Sequence, residues 1–240
     1  FHPRLPKPST GSQPDQKMTR SRIMDDMEKL RKRMVERQIA GRGVRDEAVL
    51  DAMRAVPREE FVPPDLQSRA YDDGPLPIGS GQTISQPFIV ASMIESLQLE
   101  PDDRVLEIGV GSGYAAAVMA EIAEEVYGIE RHAELVETAR ERLAGLGYEN
   151  VEIRHGDGTK GWEEYAPFDA IVVAASGPSV PESLKAQLSI GGRMVIPVGQ
   201  SVFDQQLIRI TRTNAGFEET KLEPVRFVPL VGEEGWSERE

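Results

Sequence analysis

Residues 105–114 read Val-Leu-Glu-Ile-Gly-Val-Gly-Ser-Gly-Tyr, an apolar run carrying Glu107, then glycines at 109, 111 and 113. Ala115-Ala116-Ala117 follows and continues as a small-residue helix. An apolar strand that ends in an acidic residue and a glycine-rich turn is how a parallel α/β sheet makes room for an adenosyl cofactor. Glycine permits positive φ and lets a ligand approach the backbone without a Cβ in the way. The free N–H groups at the start of the next helix favour an anionic ligand group. A dinucleotide fingerprint, Gly-x-Gly-x-x-Gly, would place its third glycine at position 114, where Tyr114 stands. That offset moves the reading from a dinucleotide toward S-adenosylmethionine (AdoMet).

The next segment supports a nucleoside cofactor. Glu125-Val126-Tyr127-Gly128-Ile129-Glu130 reads as a second strand ending in a carboxylate, 17 residues beyond Gly113. An acidic side chain there is placed to accept hydrogen bonds from ribose hydroxyls. NAD and AdoMet both carry such a ribose, so Glu130 does not choose between them. Taken without the glycines, it would be an ordinary solvated carboxylate before a helix.

Alternation continues on both sides. Helices are expected near 22–40, 46–55, 87–99, 113–123, 132–146 and 181–189. Strands are expected near 104–109, 125–130, 151–154, 170–175 and 193–198, with a turn at Gly191-Gly192. The apolar run Ala170–Ala175 suits a central strand buried on both faces. Gln206–Arg212 and Glu223–Pro229, joined at Asn214-Ala215-Gly216, predict a terminal hairpin. The whole predicts an α/β fold, a mainly parallel sheet with helices on both faces and an antiparallel C-terminal edge. Between Phe61 and Gln86 no regular element is expected. A connection this long, with prolines or glycines at 63, 64, 74, 75, 77, 79 and 81, suggests function rather than linkage.

Composition narrows the chemistry. The 240 residues are 39% hydrophobic and 28% charged, enough for one α/β domain. With no cysteines and histidines only at 2, 132 and 155, no metal site is expected. A net charge of −12 argues against a nucleic-acid partner and suits a peptide or small-molecule substrate. No apolar stretch approaches the ~20 residues needed to span a bilayer, so no membrane partner is expected. Residues 1–20, rich in Pro and Ser, read as a flexible arm before a single domain over 21–240. Within it, 21–86 would hold the N-terminal helices and substrate loop, 87–200 the cofactor core, and 201–240 the hairpin and tail. A first residue of Phe rather than Met suggests a processed N-terminus, so an exported form stays open beside a cytoplasmic one.

Several stretches together resemble the protein-L-isoaspartate O-methyltransferase family, from about Met24 to Trp236. They include Pro57-Arg58-Glu59, Phe61-Val62-Pro63, Gly81-Gln82-Thr83-Ile84-Ser85-Gln86-Pro87, Gly156-Asp157-Gly158, Pro197-Val198-Gly199 and Val225–Leu230. The glycine run is common to many methyltransferases; the Gly81–Pro87 stretch with its neighbours is far more specific. The resemblance implies a Rossmann-like AdoMet-dependent methyltransferase fold. It also implies transfer of a methyl group to the free α-carboxylate of L-isoaspartyl residues in damaged peptides and proteins, with S-adenosyl-L-homocysteine as product. The methyl ester then closes to a succinimide, which starts repair.

By the same resemblance Ser85 is the catalytic residue. Glu107, Gly109, Gly111, Gly113, Glu130, Asp157 and Gly158 would hold the cofactor, with Asp157 facing the adenine amine. Thr83, Ala175, Pro197, Val198 and Val228 would border the substrate. On local sequence alone, Ser85 also fits a helix-entry residue, and Asp157 an Asp-Gly turn. Asp169 is expected to order the start of a strand, and His155, Trp162 and Trp236 to be structural. The run Ala174-Ala175-Ser176-Gly177-Pro178 departs from the family's usual Thr-Ala-Ala-Pro and bears on peptide preference. A monomer is favoured. Two rival readings share the cofactor motif: a methyltransferase acting on a small molecule or nucleic acid, and a non-catalytic AdoMet-binding protein.

Overall fold

A computed structural model describes residues 15–201 and 203–238, with side chains from residue 25 onward. Helix α1 (Asp15–Met34) begins inside the stretch expected to be an arm; residues 1–14 lie outside the described residues. It passes into a π-helical turn over Val35–Ile39 and a 3-10 turn over Ala40–Arg42, ending at Gly43 with φ of 117°. Its apolar residues are only partly inward, since Met34 is buried while Leu30 is 39% exposed.

Helix α2 (Glu47–Ala55) begins where Asp46 accepts hydrogen bonds from the Ala48 and Val49 N–H groups. Such a cap is worth about 1 kcal/mol. It buries Val49, Leu50, Ala52 and Met53. A 3-10 turn over Arg58–Phe61 leads into the stretch expected to be irregular, which contains a second over Pro64–Arg69 and a small antiparallel hairpin, β1 (Leu76–Gly79) and β2 (Gln82–Ile84). Helix α3 (Pro87–Leu97) follows with proline in its first turn, where no N–H is missed.

The main sheet has seven strands. β3 (Arg104–Ile108), α4 (Tyr114–Ala120), β4 (Glu125–Glu130), α5 (Ala133–Leu146) and β5 (Val151–His155) run outward in one direction. The chain then returns through β6 (Phe168–Val173), α6 (Glu182–Ala186) and β7 (Leu188–Ser201), and finishes with β8 (Asp204–Thr213) and β9 (Gly216–Pro224). Spatial order is β5-β4-β3-β6-β7-β8-β9. The first five are parallel, while β7–β8 and β8–β9 are antiparallel.

Period-two alternation divides the core into two layers. Val105, Ala170 and Val172 face one buried cluster, with α1 to α4 packed on it. Leu106, Ile108, Ile171 and Val173 face the other, which also holds Phe168, Trp162 and Leu184. Strands buried on both faces read as continuous apolar runs, which is why β3 and β6 were legible.

Two boundaries differ from expectation. Gly191-Gly192 is not a turn before β7 but an irregularity inside it: Phe168 pairs with Leu188, and Ala170 pairs next with Arg193. The second strand of the hairpin is Gly216–Pro224, not Glu223–Pro229, because β9 pairs with β8 directly after a two-residue turn at Asn214-Ala215. No helix among the described residues is long and apolar enough to cross a membrane.

Candidate functional site

Adjacent parallel strands β3 and β6 lead away in opposite directions, β3 toward β4 and β6 toward β7. In an open α/β sheet the crevice beyond the carboxyl ends of two such strands is where ligands bind. Here it opens into a cavity of about 740 Å³, within the size range of small-molecule sites. Its floor is the glycine loop after β3. Gly111 has φ of 55°, and a Cβ there would lie 3.1 Å from Ile78 of β1. Glycine suits the positive φ there and lets the loop lie close under the hairpin, since a side chain would push the Ile78 tip aside. Gly113 is the N-cap of α4 with φ of 89°, and a Cβ would press on Leu143 of α5 at 3.2 Å. It serves helix packing and is not among the cavity-lining residues.

Two carboxylates stand at the strand ends. Glu130, 4% exposed, accepts the Gly111 N–H at 2.9 Å through Oε2 and the His132 N–H at 2.9 Å through Oε1. Each oxygen keeps a lone pair for a ligand hydroxyl. Glu107 is 1% exposed, lines the cavity, and has an Oε2 with no hydrogen-bond partner among the described residues. Burial, and then the neighbouring Glu130 charge, push its pKa well above the ordinary carboxylate value. A buried, unpartnered carboxylate is costly, and it suits a cationic ligand.

Across the cavity lie Thr83 of β2 and Ser85, in the two-residue link between β2 and α3. Ser85 is half-buried, and the helix-entry reading does not apply to it: the N-cap of α3 is Gln86, without a side-chain cap bond. Gly109, Gly158, Ala175 and Val228 also line the cavity. Ala175 and Val228 arrive there through Ser176, whose N–H donates to the Val228 carbonyl at 2.8 Å. The Ser176 carbonyl accepts from the Leu230 N–H and from the Trp236 indole, both at 2.9 Å. Ser176 is 2% exposed, and its hydroxyl has no partner among the described residues.

Besides Gly113, three residues proposed from sequence do not reach this lining. Pro197 and Val198 stand behind it, where the Pro197 carbonyl accepts from the Gly177 N–H and Val198 pairs with Gly177. Asp157 borders an adjoining smaller cavity with His155, Val231 and Glu238. Its Oδ1 accepts from the Thr159 N–H and hydroxyl at 2.9 and 2.7 Å, and its Oδ2 from the Glu233 N–H at 2.8 Å. A Cβ on Gly232 would lie 2.1 Å from Asp157 Oδ1, so the carboxylate clamps the C-terminal segment closely. Burial opposes ionisation, but the Glu233 N–H and the two Thr159 donors prevail and lower the pKa.

Asp157→Ala should therefore free residues 231–236, seen as faster amide exchange at Glu233 and a loss of roughly 1–3 kcal/mol. The stabilisation is present above the unfolded-state value of about 3.9 and lost as pH falls through the lower folded value. Unchanged exchange at Glu233 would show that the clamp carries no energy.

The structure also brings in residues that sequence reading passed over. Phe203, at the β7–β8 tip, is 82% exposed yet lines the cavity, with the Arg226 guanidinium 5.3 Å from its ring centroid. A lone aromatic in a polar turn carried no periodic signal. Asp169 is structural as expected, accepting from the Arg104 N–H and the Ser189 hydroxyl.

Comparison with known proteins converges on one group. Residues 28–235 match the family described as protein-L-isoaspartate(D-aspartate) O-methyltransferase. Protein-L-isoaspartate O-methyltransferase 1 of Rhodopseudomonas palustris (strain HaA2) is 60% identical over 208 residues, covering 86% of this chain and 85% of that protein. Its counterpart from Methylorubrum extorquens (strain PA1) is 60% identical over 214 residues, covering 89% and 93%. Among solved structures, a putative protein-L-isoaspartate O-methyltransferase from Plasmodium falciparum, in complex with S-adenosyl-L-homocysteine, superposes with a TM-score of 0.72 at 31% identity. That alignment covers 82% of this chain and 96% of that one. With the match running from α1 into the C-terminal segment that lines the cavity, the chain belongs to the protein-L-isoaspartate(D-aspartate) O-methyltransferase family.

Proposed function

We propose that this chain transfers a methyl group from AdoMet to the free α-carboxylate of L-isoaspartyl residues in peptides and proteins, releasing S-adenosyl-L-homocysteine. The carrying observation is the pairing of an acidic cofactor floor, Glu107 and Glu130, with a hydroxyl-bearing wall, Thr83 and Ser85, in one cavity. The unpartnered Glu107 Oε2 and the spare acceptor capacity of Glu130 fit a ligand that carries both positive charge and ribose hydroxyls. When bound, the cofactor supplies a methyl group activated by its sulfonium.

What the chain itself must do is modest. A carboxylate nucleophile is already ionised at neutral pH, so no strong general base is needed. Placement and exclusion of water remain, and positioning can supply roughly 7–11 kcal/mol. Ser85 would orient the substrate carboxylate. A neutral hydroxyl does so without the deep ground-state well that an arginine would create as charge disappears during transfer. Gly109, Gly111 and Gly158 would admit the cofactor, and Ala175 and Val228 would border the peptide.

An ordinary aspartyl peptide places its carboxylate one methylene further from the backbone. A displacement near 1 Å costs on the order of 10²-fold. Offered an isoaspartyl peptide, its aspartyl isomer and methyl-labelled AdoMet, the enzyme should label the first and spare the second by at least that factor. Equal labelling, or labelling of neither while a small molecule is methylated, would overturn the assignment.

A further inference from the structure

Arg58 is the most deeply buried cation among the described residues, and the chemistry above has no use for it. It opens the 3-10 turn Arg58–Phe61 and is 0% exposed. No carboxylate pairs with it among the described residues; its partners are backbone carbonyls and a ring. Nε donates to the Ala70 carbonyl at 2.8 Å, and Nη2 donates to the Ser85 carbonyl at 2.8 Å. The guanidinium carbon lies 4.8 Å from the centroid of the Tyr114 ring. Burial lowers its pKa, and the Tyr114 hydroxyl works against that.

A buried cation without a counter-ion is expensive, and an apolar side chain of similar volume often packs as well or better. The two carbonyls and the ring indicate what the charge accomplishes. Ala70 ends the turn that follows Pro64, Ser85 joins β2 to α3, and Tyr114 is the first residue of α4, directly after the glycine loop. Tyr114 and Ser85 both line the cavity. One planar fork therefore ties the hydroxyl-bearing wall to the helix that starts at the cofactor floor. A lysine could not reproduce this, since its ammonium neither forks nor stacks in the same way.

We infer that Arg58 is a positioning residue for methyl transfer, holding the Ser85 backbone against the start of α4 so that the Ser85 hydroxyl faces the glycine loop. This rests on the function proposed above. The inference separates Arg58 from a packing role, because packing would be served by any side chain of its volume.

The experiment compares wild type, Arg58→Lys and Arg58→Met in the full chain. Three properties are read: kcat and KM with an isoaspartyl peptide, equilibrium AdoMet affinity, and amide exchange at residues 83–86 and 109–114. Both variants should lose kcat on the order of 10²-fold. The peptide KM and AdoMet affinity should stay within about threefold, while exchange rises at 83–86 and not at 109–114. Retained kcat in Arg58→Met would overturn the inference. So would loss of cofactor affinity in step with kcat, or failure of both variants to fold, since each marks a general structural part. A wild type that methylates no isoaspartyl peptide would count against the proposed function, and the exchange contrast would still decide whether Arg58 clamps Ser85.

Discussion

Replacing Ser85 with alanine is expected to lower turnover of an isoaspartyl peptide on the order of 10²-fold while AdoMet affinity stays within a few-fold. Ser85 lines the cavity yet caps no helix, because α3 takes Gln86 as its N-cap. Removing its hydroxyl costs the fold little: the residue is half-buried and its anchor to the protein is its carbonyl, which alanine retains. What disappears is one hydrogen bond to a charged oxygen, about 1.5–3 kcal/mol if formed fully in the transition state. Loss of orientation adds to that. Because the acceptor carboxylate is already ionised, the pH profile should keep its shape as its height falls. Steady-state kinetics beside calorimetric binding would check this, and a kcat within threefold of wild type would remove Ser85 from the reaction.

Glu107→Gln is expected to make the ligand-free protein more stable and to weaken AdoMet at least tenfold, about 1.4 kcal/mol. Burial and Glu130 raise the Glu107 pKa above its ordinary 4.5, so the folded protein keeps a proton there that the unfolded chain has lost. The folded state thus binds more protons than the unfolded one, and Glu107 costs stability progressively as pH rises from about 4.5 to the raised value. A cationic ligand in this cavity favours the ionised form. Binding should therefore expel a proton, and affinity should climb as pH rises toward the raised value of the ligand-free protein.

Glutamine has no proton to lose, which flattens both dependences. Titration calorimetry in buffers of different ionisation enthalpy reads proton release directly. S-Adenosylhomocysteine, lacking the sulfonium, should release less. Equal affinity of wild type and variant at neutral pH, with no proton exchanged in either, would mean that Glu107 does not sense the cofactor's charge.

The fold was legible where burial is symmetric. β3 and β6 are covered on both faces, so their apolar runs announced themselves, and Pro87 marked a helix start by its own chemistry. The hairpin β1–β2 was missed because its two strands are four and three residues long and half exposed, with no alternation to read. β7 looked like a turn followed by a strand, since Gly191-Gly192 is a turn signal that tertiary pairing with β6 and β8 overrides. β9 was misplaced by the apolar run after Pro224, which instead forms part of the cavity wall at Val228 and Leu230.

Local order along the chain determined the end of the cavity proposed to hold the cofactor. Glu107, the glycine loop and Glu130 lie within one strand–turn–helix–strand unit, whose geometry follows from nearest-neighbour sterics and parallel pairing. Only the tertiary structure decided the opposite wall of the cavity, where the substrate is proposed to lie. There Ser85, Ala175, Val228 and Phe203 come from segments far apart in sequence, and no short-range periodicity encodes which of them meet. The same holds for Asp157 and Arg58. Asp157 reads as an Asp-Gly turn and Arg58 carries no signal of its own; each meets a backbone group of another segment, the Glu233 N–H and the Ser85 carbonyl. Hydrogen bonds of that kind depend on where the chain returns after folding, which residue type alone does not carry.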